Sequence, residues 1–147
     1  MIACFVTGTD TGVGKTLSSC ALLHALARHH RRVVGMKPVA SGAEPDGKGS
    51  WANEDSLALR AASTLVVPPQ LDNPVLLPDP VSPHIAAERA GVTVQLAPIL
   101  QAYQQLAAQA DAVVVEGAGG WQVPLSPHLR IADLAVALQL PVVLVVG

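Results

Sequence analysis

The sequence predicts an α/β domain with a mostly parallel sheet flanked by helices. Three observations carry that expectation. Short apolar runs at Ile2–Thr7, Arg32–Lys37, Ala112–Glu116 and Val142–Val146 read as four strands, the first and third of them buried. Segments with helical apolar spacing lie between them. A glycine-rich turn, Gly8 to Gly14, joins the first run to the first helical segment. With 147 residues, one domain over 1–147 is expected. The chain stops directly after its last strand, so we expect a domain incomplete at its C-terminus, short of at least a helix and a strand.

The elements follow in order. Lys15 to about His29 repeats Leu17, Cys20, Ala21, Leu23 and Leu26 at helical spacing. Pro38 closes the second strand. Gly42 to Ala52 is a polar loop, and Asn53 is placed to cap a helix running to Ala62. Pro68 to Pro83 holds six of the twelve prolines, which predicts an irregular or extended path. Pro83 to Ala90 reads as a short helix with proline in its first turn. Helices over Val94–Ala110 and Ile131–Leu140 bracket the third strand, and no internal repeat is present.

Half the residues are hydrophobic, 14% are charged and only 3% are aromatic, so a core of Ala, Val and Leu is expected and disorder is not. Net charge is −2, and the Arg28–Arg32 cluster is too short for a nucleic-acid-binding stripe; it suits a solvated helix C-terminus. Cys4 and Cys20 have no metal-ligand spacing and read as buried, reduced thiols of a cytoplasmic protein. No signal peptide is legible. The apolar stretch Leu134–Gly147 is interrupted by Gln139 and Pro141 and falls short of the roughly 20 residues a membrane span needs.

Gly8-Thr-Asp-Thr-Gly-Val-Gly14-Lys15-Thr16 carries the strongest chemical signal. A triphosphate needs several donors converging in a small volume. Glycines let the backbone wrap closely, and the following helix adds its positive end. Lys15 can reach the β- and γ-phosphates, and the Thr16 hydroxyl can ligate Mg²⁺. The strict phosphate-loop pattern wants glycine where this chain has Thr9; Gly8 leads one residue early. The strand before the turn and the helix after it restore the reading of a P-loop NTPase architecture binding ATP. Asp10 stays open between orienting a substrate amine and capping the turn.

Ligands of parallel α/β sheets lie beyond the carboxyl ends of the strands. Lys37 and Glu116 stand at such ends, with Ser41 shortly after the first of them. Glu116 after Ala112-Val-Val-Val115 can serve Mg²⁺ directly or through water, or be a plain strand-end carboxylate. Lys37 is poised to neutralise charge in phosphoryl transfer, or is a snorkelling surface lysine. Asp55 and Ser41 suit caps equally well, and His84 reads as structural.

Together these residues resemble the dethiobiotin synthetases. The matching stretches are Phe5–Thr16, Gly35-Met-Lys-Pro-Val-Ala-Ser-Gly42, Asn53-Glu-Asp55, Ser82-Pro-His84 and Val115-Glu-Gly-Ala-Gly-Gly-Trp121 with Pro124-Leu125. The resemblance implies ATP-dependent ring closure of 7,8-diaminononanoate (7,8-diaminopelargonate) with CO₂ or bicarbonate, through a carbamate and a mixed anhydride, in biotin biosynthesis. It implies Thr16, Asp55 and Glu116 as magnesium ligands. Gly12, Val13, Gly14, Lys15, Thr16 and Leu17 would form the triphosphate loop, with Asp55, Glu116, Gly117, Ala118 and Gly119 also at the nucleotide. Lys37 would be catalytic with Lys15 assisting, and Thr11 and Ser41 would lie at the diamine. It also implies a cytoplasmic homodimer with no nucleic-acid or membrane partner. Three rivals remain. A partitioning-type ATPase switch would carry an early P-loop lysine where this chain has Thr9-Asp-Thr11; a cobalamin-pathway amidotransferase would need a glutaminase domain; an inactive nucleotide-binding remnant is the third.

Overall fold

The computed structural model describes residues 1–147. In chain order the elements are β1 (Ile2–Gly8), α1 (Lys15–Ala27), β2 (Val33–Met36), β3 (Val39–Ser41), β4 (Glu44–Pro45), β5 (Trp51–Ala52), α2 (Glu54–Ala62) and α3 (Pro69–Asp72). They continue with β6 (Val75–Leu77), α4 (Pro83–Ala90), α5 (Leu96–Gln109), β7 (Ala112–Glu116), β8 (Pro124–Ser126), β9 (Leu129–Arg130), α6 (Ile131–Leu138) and β10 (Val142–Val145). The four predicted strands form one parallel sheet in the order β10-β1-β7-β2. No helix is long and apolar enough to cross a membrane.

Period-two alternation divides the core in two. Val6, Val33, Ala112 and Val114 face Leu23 of α1 and Leu59 of α2 on one side of the sheet. Phe5, Val34, Met36, Val113 and Val115 face Ile99 and Leu106 of α5 and Ile131 and Leu134 of α6 on the other. Small and β-branched side chains dominate both layers, as the aromatic-poor composition requires. Where α1 and α2 cross β2, Gly35 allows the approach: a Cβ there would meet Leu23 Cδ1 and Leu59 Cβ at 3.0 Å.

Several expectations need correction. The Pro68–Pro83 stretch is not simply irregular. Pro69 opens the single-turn α3, and β6 pairs in parallel with β3 as a small separate sheet. Pro has no N–H to lose at a first helical turn, so the prolines punctuate this segment without preventing it from pairing. The loop at 42–52 contains the antiparallel β4–β5 pair, and a second short pair, β8–β9, lies before α6. α6 stops at Leu138, where Gln139 turns left-handed (φ 57°) ahead of Pro141. The two thiols are half-buried, not buried, and unbridged; burial pushes both above the usual thiol value.

Asn53 caps α2 as the sequence predicts, and it does more. Its Oδ1 accepts from the Asp55 and Ser56 amides at 2.9 and 3.2 Å, while its Nδ2 donates to Ser41 and Gly42 carbonyls at 3.2 and 2.9 Å. Asn53→Ala removes the cap and leaves buried backbone groups unpaired. We expect a loss of about 1–2 kcal/mol in urea unfolding, seen as a lower midpoint with an unchanged slope.

Candidate nucleotide and metal site

The turn after β1 is shaped for an anion. Gly12 and Gly14 take left-handed backbone angles (φ 77° and 100°), and α1 opens with no side-chain cap and no acidic residue in its first turn. Its first N–H groups are thereby left for a ligand at the positive end of the helix. Gly8 must be glycine for a packing reason: a Cβ would lie 2.6 Å from Val13 Cγ2. A cavity of about 390 Å³ sits over this turn, lined by Thr11, Gly12, Gly14, Lys15, Thr16, Leu17, Lys37, Asp55 and Gly119. A second cavity of about 370 Å³ shares Thr11, Lys37, Asp55 and Gly119 with it and adds Ser41, Asn53 and Ala118.

Lys37 stands where the two cavities meet. Its ammonium donates to Glu116 Oε2 at 2.9 Å, Asp55 Oδ2 at 3.1 Å and the Gly117 carbonyl at 3.1 Å, which uses all three protons. It is only 4% exposed and Glu116 is fully buried, so this is an ion pair in the protein interior and not a snorkelling lysine. The remaining Glu116 capacity is met by Thr16 Oγ1 and Ser19 Oγ, each at 2.9 Å. Because the Thr16 proton points to Glu116, its lone pairs stay available to a cation.

The backbone around Lys37 is held by the proline-rich segment. Lys37 N–H donates to Asp72 O at 2.7 Å, and Asn73 Nδ2 donates to Lys37 O at 2.7 Å. Asp72 in turn accepts both Nε and Nη2 of Arg60 at 2.8 Å, tying α3 to α2. Ser19, Asp72 and Asn73 were not singled out from the sequence. The legible hint for the last two was a polar Asp-Asn pair inside an otherwise apolar, proline-broken run.

The predicted site residues divide by position. Thr11, Lys15, Thr16, Lys37 and Asp55 converge on the cavities, with Gly12, Gly14, Leu17, Ala118 and Gly119 in their walls. Glu116 lines neither and lies behind Thr16 and Lys37, while Gly117 contributes its carbonyl to Lys37. Val13 packs beneath the loop against Gly8. Ser41 Oγ is buried with no hydrogen-bond partner and belongs to the second cavity. Asp10 accepts from the Thr11 amide at 2.7 Å, the turn-capping alternative, and its carbonyl receives Lys15 Nζ at 3.3 Å. His84 lines neither cavity, and pairs at 3.2 Å with Ser82 Oγ, whose residue is in the wall of the second.

A sequence model described as "AAA domain" matches residues 3–147. The chain belongs to this AAA domain family. Among curated relatives, this AAA domain is 60% identical over 149 residues to the ATP-dependent dethiobiotin synthetase BioD of Xanthomonas axonopodis pv. citri (strain 306). It is 57% identical over 145 residues to the protein of the same name from Xylella fastidiosa (strain 9a5c). Each comparison covers 99% of this chain and 64% of the relative, so the chain spans about two thirds of the length of the curated relatives it matches.

The donor set suits a hard, oxygen-seeking cation. Thr16 and Asp55 present oxygen donors to the phosphate-loop cavity, and the buried Glu116 carboxylate lies behind them on Thr16 Oγ1 and Lys37 Nζ. Nowhere do three His, Cys, Asp or Glu side chains cluster. A carboxylate and a hydroxyl at the cavity, with a second carboxylate behind, are too few for an all-protein cage and suit Mg²⁺, which keeps waters and takes phosphate oxygens.

Burial, and then the Lys37 charge, push Lys15 below the usual lysine value against the opposing pull of Glu116, Asp55 and Asp10. At Asp55 burial acts upward, but the charge and hydrogen bond of Lys37, with Thr16 and Lys15, outweigh it and hold the carboxyl below its usual value. A depressed carboxyl stabilises the fold above its unfolded pKa, about 3.9, and that contribution is lost as pH falls through the lower folded value. Asp55→Asn should therefore flatten the acid limb of a stability-versus-pH curve below about pH 4.

Proposed function

We propose that this chain carries the ATP-binding and catalytic core of a dethiobiotin synthetase. The reaction is carboxylation and ring closure of 7,8-diaminononanoate with CO₂ to dethiobiotin, with ATP converted to ADP and phosphate. The observation that carries the reading is Lys37, a residue that lines both the phosphate-loop cavity and the cavity holding the unpartnered Ser41 hydroxyl. A reaction that joins a substrate oxygen to a γ-phosphate needs a cation at that junction. The names of the relatives add support, as does the identity that runs across nearly the whole chain.

In this proposal one amine of the diamine takes up CO₂ as a carbamate in the second cavity. Ser41 Oγ, with no partner of its own, is available to donate to the carbamate. Thr11, which lines both cavities, orients the diamine. The phosphate loop, Gly12 to Leu17, holds the triphosphate in line, with Lys15 at the β- and γ-phosphates. The carbamate oxygen attacks the γ-phosphorus, ADP leaves, and the second amine closes the cyclic urea as phosphate departs. Lys37 offsets the charge that builds where carbamate meets phosphate. Mg²⁺, when bound, would neutralise triphosphate charge; Thr16 and Asp55 would hold it, with Glu116 behind them. We also propose that the enzyme works as a cytoplasmic homodimer.

The test is phosphate release from Mg-ATP and bicarbonate, with and without 7,8-diaminononanoate. Release that requires the diamine and yields dethiobiotin is the expected result; phosphate release indifferent to the diamine would refute it. Lys37→Ala, assayed in saturating Mg-ATP, should lower diamine-dependent turnover by about 10²–10³-fold while nucleotide binding persists.

A further inference from the structure

Lys37 makes three hydrogen bonds that leave no room beside it. Its ammonium sits between Asp55 Oδ2 and Glu116 Oε2 at 3.1 and 2.9 Å, and the Gly117 carbonyl closes the third side at 3.1 Å. Its backbone is clamped on both sides by Asp72 O and Asn73 Nδ2, each at 2.7 Å, and Pro38 follows it. Glu116 is fully buried with Thr16 and Ser19 hydroxyls on its two oxygens, so its charge is shielded from bulk solvent. The ammonium is thus the buried counterion of Glu116, and it occupies the point on which the oxygen donors converge.

We infer that Lys37 is a tethered substitute for the divalent cation: without nucleotide its ammonium fills the place between Asp55 and Glu116 and keeps the free ion out. This rests on the reading of the phosphate-loop cavity given above. A divalent ion placed between Asp55 Oδ2 and Glu116 Oε2 would stand where the ammonium already sits, repelled by it and competing for the same two oxygens. Entry of the metal requires Lys37 to leave, and an ammonium leaving a buried pair needs a new anion. The arriving phosphate supplies that anion, and Lys37 already lines the cavity that receives it. Nucleotide and metal therefore bind together, and the same movement delivers Lys37 to the phosphate.

The experiment compares the wild-type chain with Lys37→Met and Lys37→Gln, reading thermal unfolding and Mn²⁺ binding by electron paramagnetic resonance. Metal alone should leave the wild-type midpoint unmoved and bind weakly. Both variants should unfold at lower temperature without metal, regain several degrees with Mg²⁺ alone, and bind free Mn²⁺ about tenfold or more tightly than wild type. The glutamine variant keeps hydrogen-bond capacity near the carboxylates and covers the case in which the methionine variant does not fold. Wild-type affinity for free Mn²⁺ equal to that of either folded variant would overturn the inference. Failure of Mg-ATP to raise the wild-type midpoint would instead overturn the phosphate-site reading on which it stands.

Discussion

The buried pair between Lys37 and Glu116 is the constraint around which the rest of the molecule is organised. A charge with no access to water is tolerable only with a partner and a full set of hydrogen bonds, and removing one member costs several kcal/mol. Here the members come from the ends of two adjacent strands, β2 and β7, whose parallel register places Met36 beside Val115 one residue earlier. The pair therefore forms only when the centre of the sheet is correctly aligned. Folding and assembly of the site are one event.

Each surrounding element has a part in holding that pair. α1 delivers Thr16 and Ser19 from successive turns of one face to the two oxygens of Glu116. α2 brings Asp55, and α3 fixes the Lys37 backbone. The Gly117 amide donates to Val6 O at 2.9 Å, so the strand bearing Glu116 is tied to β1 immediately before the phosphate loop. Phosphate recognition and charge placement thus share a single hydrogen-bonded scaffold, and neither is an appendage of the other.

Much of this was legible in the amino-acid order. The four sheet strands and all five longer helices follow from apolar period, segment length and the glycines and prolines that bound them, although β10 is an edge strand with Val142, Val143 and Leu144 exposed. Thr16 and Lys37 follow from motif spacing and position at strand ends, whereas Thr11 and Asp55 come only with the resemblance to the dethiobiotin synthetases. Three things were not legible. Glu116 reads as a ligand facing the cavity, but strand register puts it behind Thr16 and Lys37. Ser19 looks like an ordinary polar residue within a helix until the helix is docked. The proline-rich segment hides a helix turn and a strand because single-residue signals cannot show that β3 and β6 pair across more than thirty intervening residues.

The Asn53 side chain has a consequence for motion. One end of its amide caps the helix that carries Asp55, and the other end holds the Ser41–Gly42 carbonyls in the wall of the second cavity. A single planar group cannot release one end without tilting the other. The loop and the first turn of α2 therefore open as one cooperative unit. Solvent exchange at the Asp55 and Ser56 amides becomes a remote gauge of whether that cavity wall is closed.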